Sequence, residues 1–290
     1  MSTPPFLKLP VCAGAVRLAT AERGSFAAFV GEPAGPVRGT ALLVPGFTGS
    51  KEDFIALLEP LAERGYRTVA VDQRGQYETG GPADAAAYAI DRLALDLLAL
   101  ATALPTDAPL HLLGHSFGGQ VCRQATLAAD RAALPWSSLT LLSTGPAAID
   151  PPEAARTGLL VDALAGGLTL EEIWQLMQDM DRDRPAPEPE IGAFLHRRWL
   201  ANRPEALIAM GGHLISAPDR VAELAALTAA GLPAQVVSGE RDYAWPVEEQ
   251  IAMADRLGVP HTTVPGALHS PNAEQPAATA AVLAGFWDLT

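Results

Sequence analysis

The stretch LHLLGHSFGGQVC, from Leu110 to Cys122, decides how the rest of the chain is read. Its apolar run, Leu110-His111-Leu112-Leu113, stops at Gly114-His115-Ser116-Phe117-Gly118 and resumes with helical spacing at Val121, Ala125 and Leu127. A buried strand, a sharp turn and a helix in that order place Ser116 at the apex of the turn, as a G-x-S-x-G nucleophile elbow. Gly114 and Gly118 are expected because strand and helix come so close that a Cβ at either position would collide. The serine then takes the strained backbone, and the helix N-terminus behind it favours developing negative charge. The competing reading is a glycine-rich connection whose serine merely caps the helix. An acid and a histidine in the right places decide between the two.

Upstream, Thr40–Val44 and Tyr66–Val71 read as continuous apolar strands, each followed by a turn: Pro45-Gly46-Phe47-Thr48 and Asp72-Gln73-Arg74-Gly75. A helix begins near Asp53 with Phe54, Leu57, Leu58 and Leu61 at helical spacing, and Ile90–Leu104 is a second. Val11–Leu18 and Ser25–Val30 read as a hairpin at a sheet edge. Downstream come a strand at Leu139–Ser143, a strand at Leu232–Ser238, a helix at Val247–Leu257, a strand at His261–Val264 and a helix at Gln275–Trp287. Near-continuous apolar strands alternating with helices imply an α/β fold, a doubly wound, mostly parallel sheet of about eight strands covered on both faces.

The rhythm breaks at Pro146. From there to about Ala230 only helices are expected, at Leu170–Met180, Ile191–Ala201, Glu205–Ser216 and Arg220–Ala229, split by a Pro-rich stretch at 184–190. Residues 1–145 and 231–290 thus form the core, and 146–230 an inserted helical cap over the carboxyl ends of the strands.

Composition bounds the function. At 290 residues and 49% hydrophobic, with a net charge of −13, the chain has a full core and would be repelled by phosphate backbones and anionic membranes. No nucleic-acid or membrane partner is expected, and a small-molecule substrate is; oligomeric state is open. The prolines at 4, 5 and 10 interrupt any leader-like apolar segment, and no apolar run reaches the ~18 residues needed to span a bilayer. Cys12 and Cys122 are far apart, HExxH and CxxC are absent, and neither disulfide, metal nor cofactor is expected. These features point to a cytoplasmic protein.

The acid and the histidine appear. Asp242 lies in Gly239-Glu240-Arg241-Asp242, just past the carboxyl end of one strand, with Glu240 competing for its role. His269 lies in Gly266-Ala267-Leu268-His269, directly after the next strand. The order Ser116, Asp242, His269 is the one this architecture requires. A serine hydroxyl needs a base to take its proton, imidazole titrates near working pH, and a carboxylate fixes its tautomer. The backbone N–H groups of Phe47 and Phe117 are expected to form the oxyanion hole.

These motifs resemble the α/β-hydrolase superfamily over essentially the whole chain: Val44-Pro45-Gly46-Phe47-Thr48, Val71-Asp72-Gln73-Arg74-Gly75, Gly114 to Gly119, Gly239 to Asp242 and the His269 loop. The family commonly has His-Gly where this chain has Pro45-Gly46, and further glycines where it has Gln76-Tyr77-Glu78. The resemblance implies a serine hydrolase cleaving carboxylic esters through an acyl-enzyme. It also leaves open a carbon–carbon hydrolase of the meta-cleavage type, a thioesterase and a non-catalytic binding protein. A serine at 116 argues against the similar epoxide hydrolases and haloalkane dehalogenases, which use aspartate there. Asp72 and Arg74 are read as a strand-end ion pair, and His111 and His115 as packing groups. His196 and His213 fall on cap helices; Trp174, Met177, Phe194, Trp199 and Met210 are read as helix packing before an acyl pocket. Glu171, Glu172, Asp179, Asp181 and Asp183 are read as a solvated face.

Overall fold

Strands apolar on both faces must be covered on both, and their side chains alternate between two cores. The computed structural model describes residues 2–105, 107–130, 133–180 and 186–290. Its strands are β1 (Ala13–Thr20), β2 (Gly24–Gly31), β3 (Gly39–Val44), β4 (Tyr66–Val71), β5 (Leu110–His115), β6 (Ser138–Leu142), β7 (Ala234–Gly239) and β8 (His261–Val264). They form one sheet in the order β1-β2-β4-β3-β5-β6-β7-β8. The β1–β2 hairpin and its β2–β4 junction are antiparallel; all other pairings are parallel. Along β3, Leu42 and Val44 enter one core while Ala41 and Leu43 enter the other, and Leu112 and Leu113 of β5 divide the same way.

The first core lies under α2 (Ile90–Ala103), α3 (Phe117–Ala128) and α9 (Val247–Leu257). The second lies under α1 (Ile55–Ala62) and α11 (Pro276–Trp287), the latter preceded by the single turn α10 (Pro271–Glu274). The helix expected to begin near Asp53 starts instead as a 3₁₀ turn at Lys51–Phe54, and a second such turn spans Ala85–Tyr88.

Between β6 and β7 the described residues make five helices: α4 (Pro151–Ala165), α5 (Leu170–Met180), α6 (Pro189–Leu200), α7 (Pro204–Ser216) and α8 (Val221–Ala229). Among the described residues this segment contains no strand, as its sequence suggested. The helix α4 is an addition to that reading. Trp174, Phe194 and Trp199 join Leu164, Ile173 and Leu207 in a core of the block's own, against which Met177 packs. Met210 lies instead in the core beneath the sheet, and so do Val221, Leu224 and Leu227 of α8. A buried ion pair fastens the block to the 3₁₀ turn that follows β3: Arg198 of α6 donates to Asp53 at 2.6 Å, and both side chains are wholly buried. Asp181 and Asp183, and the start of the Pro-rich stretch, lie outside the described residues.

Asp72 and Arg74 do not pair with each other. Asp72 takes Lys51 Nζ at 3.1 Å, and Arg74 takes Asp96 at 2.7 Å. Both residues lie past the end of β4, where the chain no longer alternates as a strand, and each finds its partner on a different element: Lys51 on the 3₁₀ turn and Asp96 on α2.

Candidate active site

Parallel strands deliver their following loops to one edge of the sheet, and the candidate residues all emerge there. After β5 the chain turns so sharply that Ser116 adopts φ 55° and ψ −123°, a backbone region L-residues rarely occupy. Its amide donates to Leu142 O at 2.9 Å, anchoring the turn to β6. The tightness explains the flanking glycines: a Cβ on Gly118 would lie 2.5 Å from Pro45 O, and one on Gly114 2.5 Å from the Gly118 carbonyl carbon.

His269 and Asp242 arrive from the loops after β8 and β7. Those loops are knitted together, since Glu240 N donates to Ala267 O at 2.8 Å and Gly266 N donates to Glu240 Oε2 at 2.9 Å. Glu240 is therefore engaged with backbone. Asp242 reaches the ring instead: its Oδ1 lies 2.8 Å from His269 Nδ1, and His269 Nε2 lies 3.0 Å from Ser116 Oγ. Oδ1 also accepts from the amides of Ala244 and Trp245, and Oδ2 from Gln250 Nε2 at 3.0 Å. Burial pushes the Asp242 carboxyl up, but the His269 charge and these donors outweigh it and hold the group below the ordinary carboxylate value. As a carboxylate it can only accept, so Nδ1 carries the ring proton and Nε2 offers a lone pair to the serine hydroxyl. A hydroxyl so placed can pass its proton to the ring as its oxygen attacks an electrophile.

Gly46, Phe47, Ser116, His269, Glu153 and Tyr243 are among the residues around a cavity of about 130 Å³. Tyr243 stacks at a tilt on the His269 ring, centroids 4.7 Å apart. Among the described residues, neither the Phe47 nor the Phe117 amide donates to a protein oxygen, so both are available beside the serine. Phe117 is the first residue of α3, where backbone N–H groups have no helical partner. His196, bonded to Glu171 at 2.7 Å, and His213, packed on Phe117, do not line the cavity; nor do Trp174, Met177, Phe194, Trp199 and Met210.

A family model described as the Alpha/beta hydrolase family matches residues 41–282. The chain belongs to the alpha/beta hydrolase family. This member is 35% identical over 92 residues to a proline iminopeptidase of Lacticaseibacillus rhamnosus, covering 32% of this chain and 31% of the relative. The chain spans about a third or less of the length of the curated relatives it matches. Its fold is shared with a thermophilic esterase from Thermogutta terrifontis (TM-score 0.71, 22% identity, 95% and 98% of the two chains). It is shared too with an enol-lactonase from Burkholderia xenovorans LB400 (TM-score 0.72, 18% identity, 94% and 100%). Among the described residues, no helix of this alpha/beta hydrolase is long and apolar enough to cross a membrane.

Sequence reasoning missed Glu153 and Thr157, both cavity residues on α4. The missed signal was Asp150-Pro151-Pro152, prolines in the first turn of a helix, where their fixed φ helps. It also missed Gln73 and Gln76, which lie buried beneath the loop after β3.

The histidines flanking the elbow give this family member a pH signature in its stability. Burial pushes His115 down to about 3 and His111 down to about 4, from an ordinary 6.5. Below pH 6.5 the unfolded chain binds protons at these rings that the native state refuses, so stability is lost as the pH falls from 6.5 toward 4. The expected slope is about 1 kcal/mol per pH unit for each ring. His111→Asn should flatten the fall of the urea midpoint between neutral and mildly acidic pH; an unchanged slope contradicts the assignment.

Proposed function

We propose that this chain is a serine hydrolase that cleaves carboxylic esters of small to medium substrates through an acyl-enzyme. The observation that carries the reading is the continuous line from Ser116 Oγ through His269 to Asp242, 3.0 and 2.8 Å between atoms, built from three separate strand ends. Ser116 is the nucleophile. Its oxygen adds to the ester carbon while its proton passes to His269 Nε2; the carbon–oxygen bond to the alcohol then breaks, and the alcohol leaves with that proton. Water repeats the sequence against the acyl-enzyme, returning the proton to Ser116 as the acid departs. Asp242 holds the ring's tautomer and stabilises its charged form. The N–H groups of Phe47 and Phe117 take the oxyanion, each worth roughly 3–4 kcal/mol in the transition state.

The helical segment from Pro146 to Ala230 acts as the cap, with α8 packed into the core under the sheet. The cavity volume favours short acyl groups over long chains. A soluble small molecule is the substrate, in a cytoplasmic setting.

A fluorophosphonate probe should label the wild-type protein at Ser116 and leave Ser116→Ala unlabelled. Short p-nitrophenyl esters should turn over in wild type alone. A wild-type protein that neither labels nor turns over these esters is not a serine hydrolase. Faster cleavage of a vinylogous diketone than of any ester would move the assignment to carbon–carbon hydrolysis.

A further inference from the structure

The loop after β3 must aim the Phe47 N–H, and one backbone hydrogen bond of its own, from Gly49 N to Gly46 O at 3.1 Å, closes its turn. Gly46 has no side chain, and the loop turns through Thr48 at φ 59°. A second, shorter restraint on the same carbonyl comes from the loop after β4. Gln76 Nε2 donates to Gly46 O at 2.7 Å, and Gln73 Nε2 donates to Pro45 O at 2.8 Å. Both glutamines are buried and neither lines the cavity, so neither meets a substrate.

The geometry of the peptide group does the rest. The Gly46 carbonyl and the Phe47 N–H belong to one trans peptide, in which C=O and N–H point in opposite directions. Pulling Gly46 O toward Gln76 turns the Phe47 N–H away from it. Gly46 lies against the serine: a Cβ there would sit 3.0 Å from Ser116 Cβ and 3.3 Å from Oγ. The Gln76 amide is itself oriented, because the Gln73 backbone N–H donates to its Oε1 at 3.2 Å. Its oxygen is thereby occupied and its NH₂ must face Gly46.

We propose that Gln76, backed by Gln73, is a positioning residue that fixes the Phe47 N–H as an oxyanion donor. This rests on the hydrolase reading above. A buried amide thereby restrains a loop built on Pro45-Gly46.

Two variants test it. Gln76→Leu keeps the approximate volume and removes the donor; kcat on p-nitrophenyl acetate should fall about tenfold to a hundredfold, with KM little changed. The inhibition constant of a trifluoromethyl ketone, whose adduct with Ser116 carries an oxyanion, should rise by the same factor. Gln76→Glu can donate to Gly46 O only when protonated. Its activity relative to wild type should therefore be higher at acid than at alkaline pH, a profile that loss of packing alone does not produce.

The inference is overturned if Gln76→Leu keeps the wild-type kcat, or loses activity through KM without weaker ketone inhibition. It is also overturned if the activity of Gln76→Glu relative to wild type is independent of pH. Wild-type protein inert to the fluorophosphonate probe instead removes the hydrolase reading itself.

Discussion

Replacing His269 with alanine should lower kcat on a p-nitrophenyl ester by on the order of 10⁶ and leave KM nearly unchanged. The ring is the only group hydrogen-bonded to the Ser116 hydroxyl among the described residues, at 3.0 Å, so its loss leaves the proton with no acceptor. Ser116→Ala should fall equally far, and the double variant no further, because the two side chains act as one unit. Asp242→Asn should cost about 10⁴: it keeps the shape but presents an NH₂ or a neutral oxygen where the ring N–H needs a carboxylate. The Ala244 and Trp245 amides would hold its oxygen beside Nδ1, so the loss comes from the missing negative charge that stabilises the charged ring. Steady-state kinetics on the purified variants measures all four. A His269→Ala protein within tenfold of wild type would remove the ring from the chemistry.

Replacing Arg198 with methionine should cost about 3–5 kcal/mol of stability, the largest loss expected of a residue outside the site. The guanidinium is wholly buried and donates to Asp53 at 2.6 Å and to Ser2 O at 2.7 Å. Burial already pushes the Asp53 carboxyl above its ordinary value in spite of Arg198. Without the arginine, Asp53 must stay buried and unpaired or take a proton, and both are costly. A second substitution, Asp53→Asn, should restore a large part of the loss, since the double variant leaves no isolated charge. Urea unfolding of the two single variants and the double variant tests this. A single Arg198→Met variant within about 1 kcal/mol of wild type would mean that water screens the pair.

The positions of Ser116, Asp242 and His269 were readable because each lies within a few residues of a strand's carboxyl end, and strand ends in a parallel sheet share one edge. The eight-stranded sheet was readable for the same reason. The hairpin, the nine expected helices and all the parallel strands fall within a few residues of their expected places. Helix α4 escaped because only Leu164 along it is buried, leaving no apolar stripe to count, while two prolines imitate a break. The partners of Asp72 and Arg74 escaped because ion pairs carry no periodicity. Lys51 precedes Asp72 by 21 residues, and Asp96 follows Arg74 by 22. The Gln76 contact with Gly46 spans 30 residues and joins two loops, where neither pattern nor spacing marks a partner.

Among the described residues, the non-glycine positions with positive φ are Thr48, Tyr77, Ser116 and Ser143. They follow β3, β4, β5 and β6 in turn, so the sheet's conformational tension is gathered along a single rim. At about 1–3 kcal/mol per strained residue, that rim can relax well before the strands beneath it part. On gentle warming this molecule should lose its activity while its circular dichroism still reports an intact protein, and an occupant seated among those four turns should delay the loss.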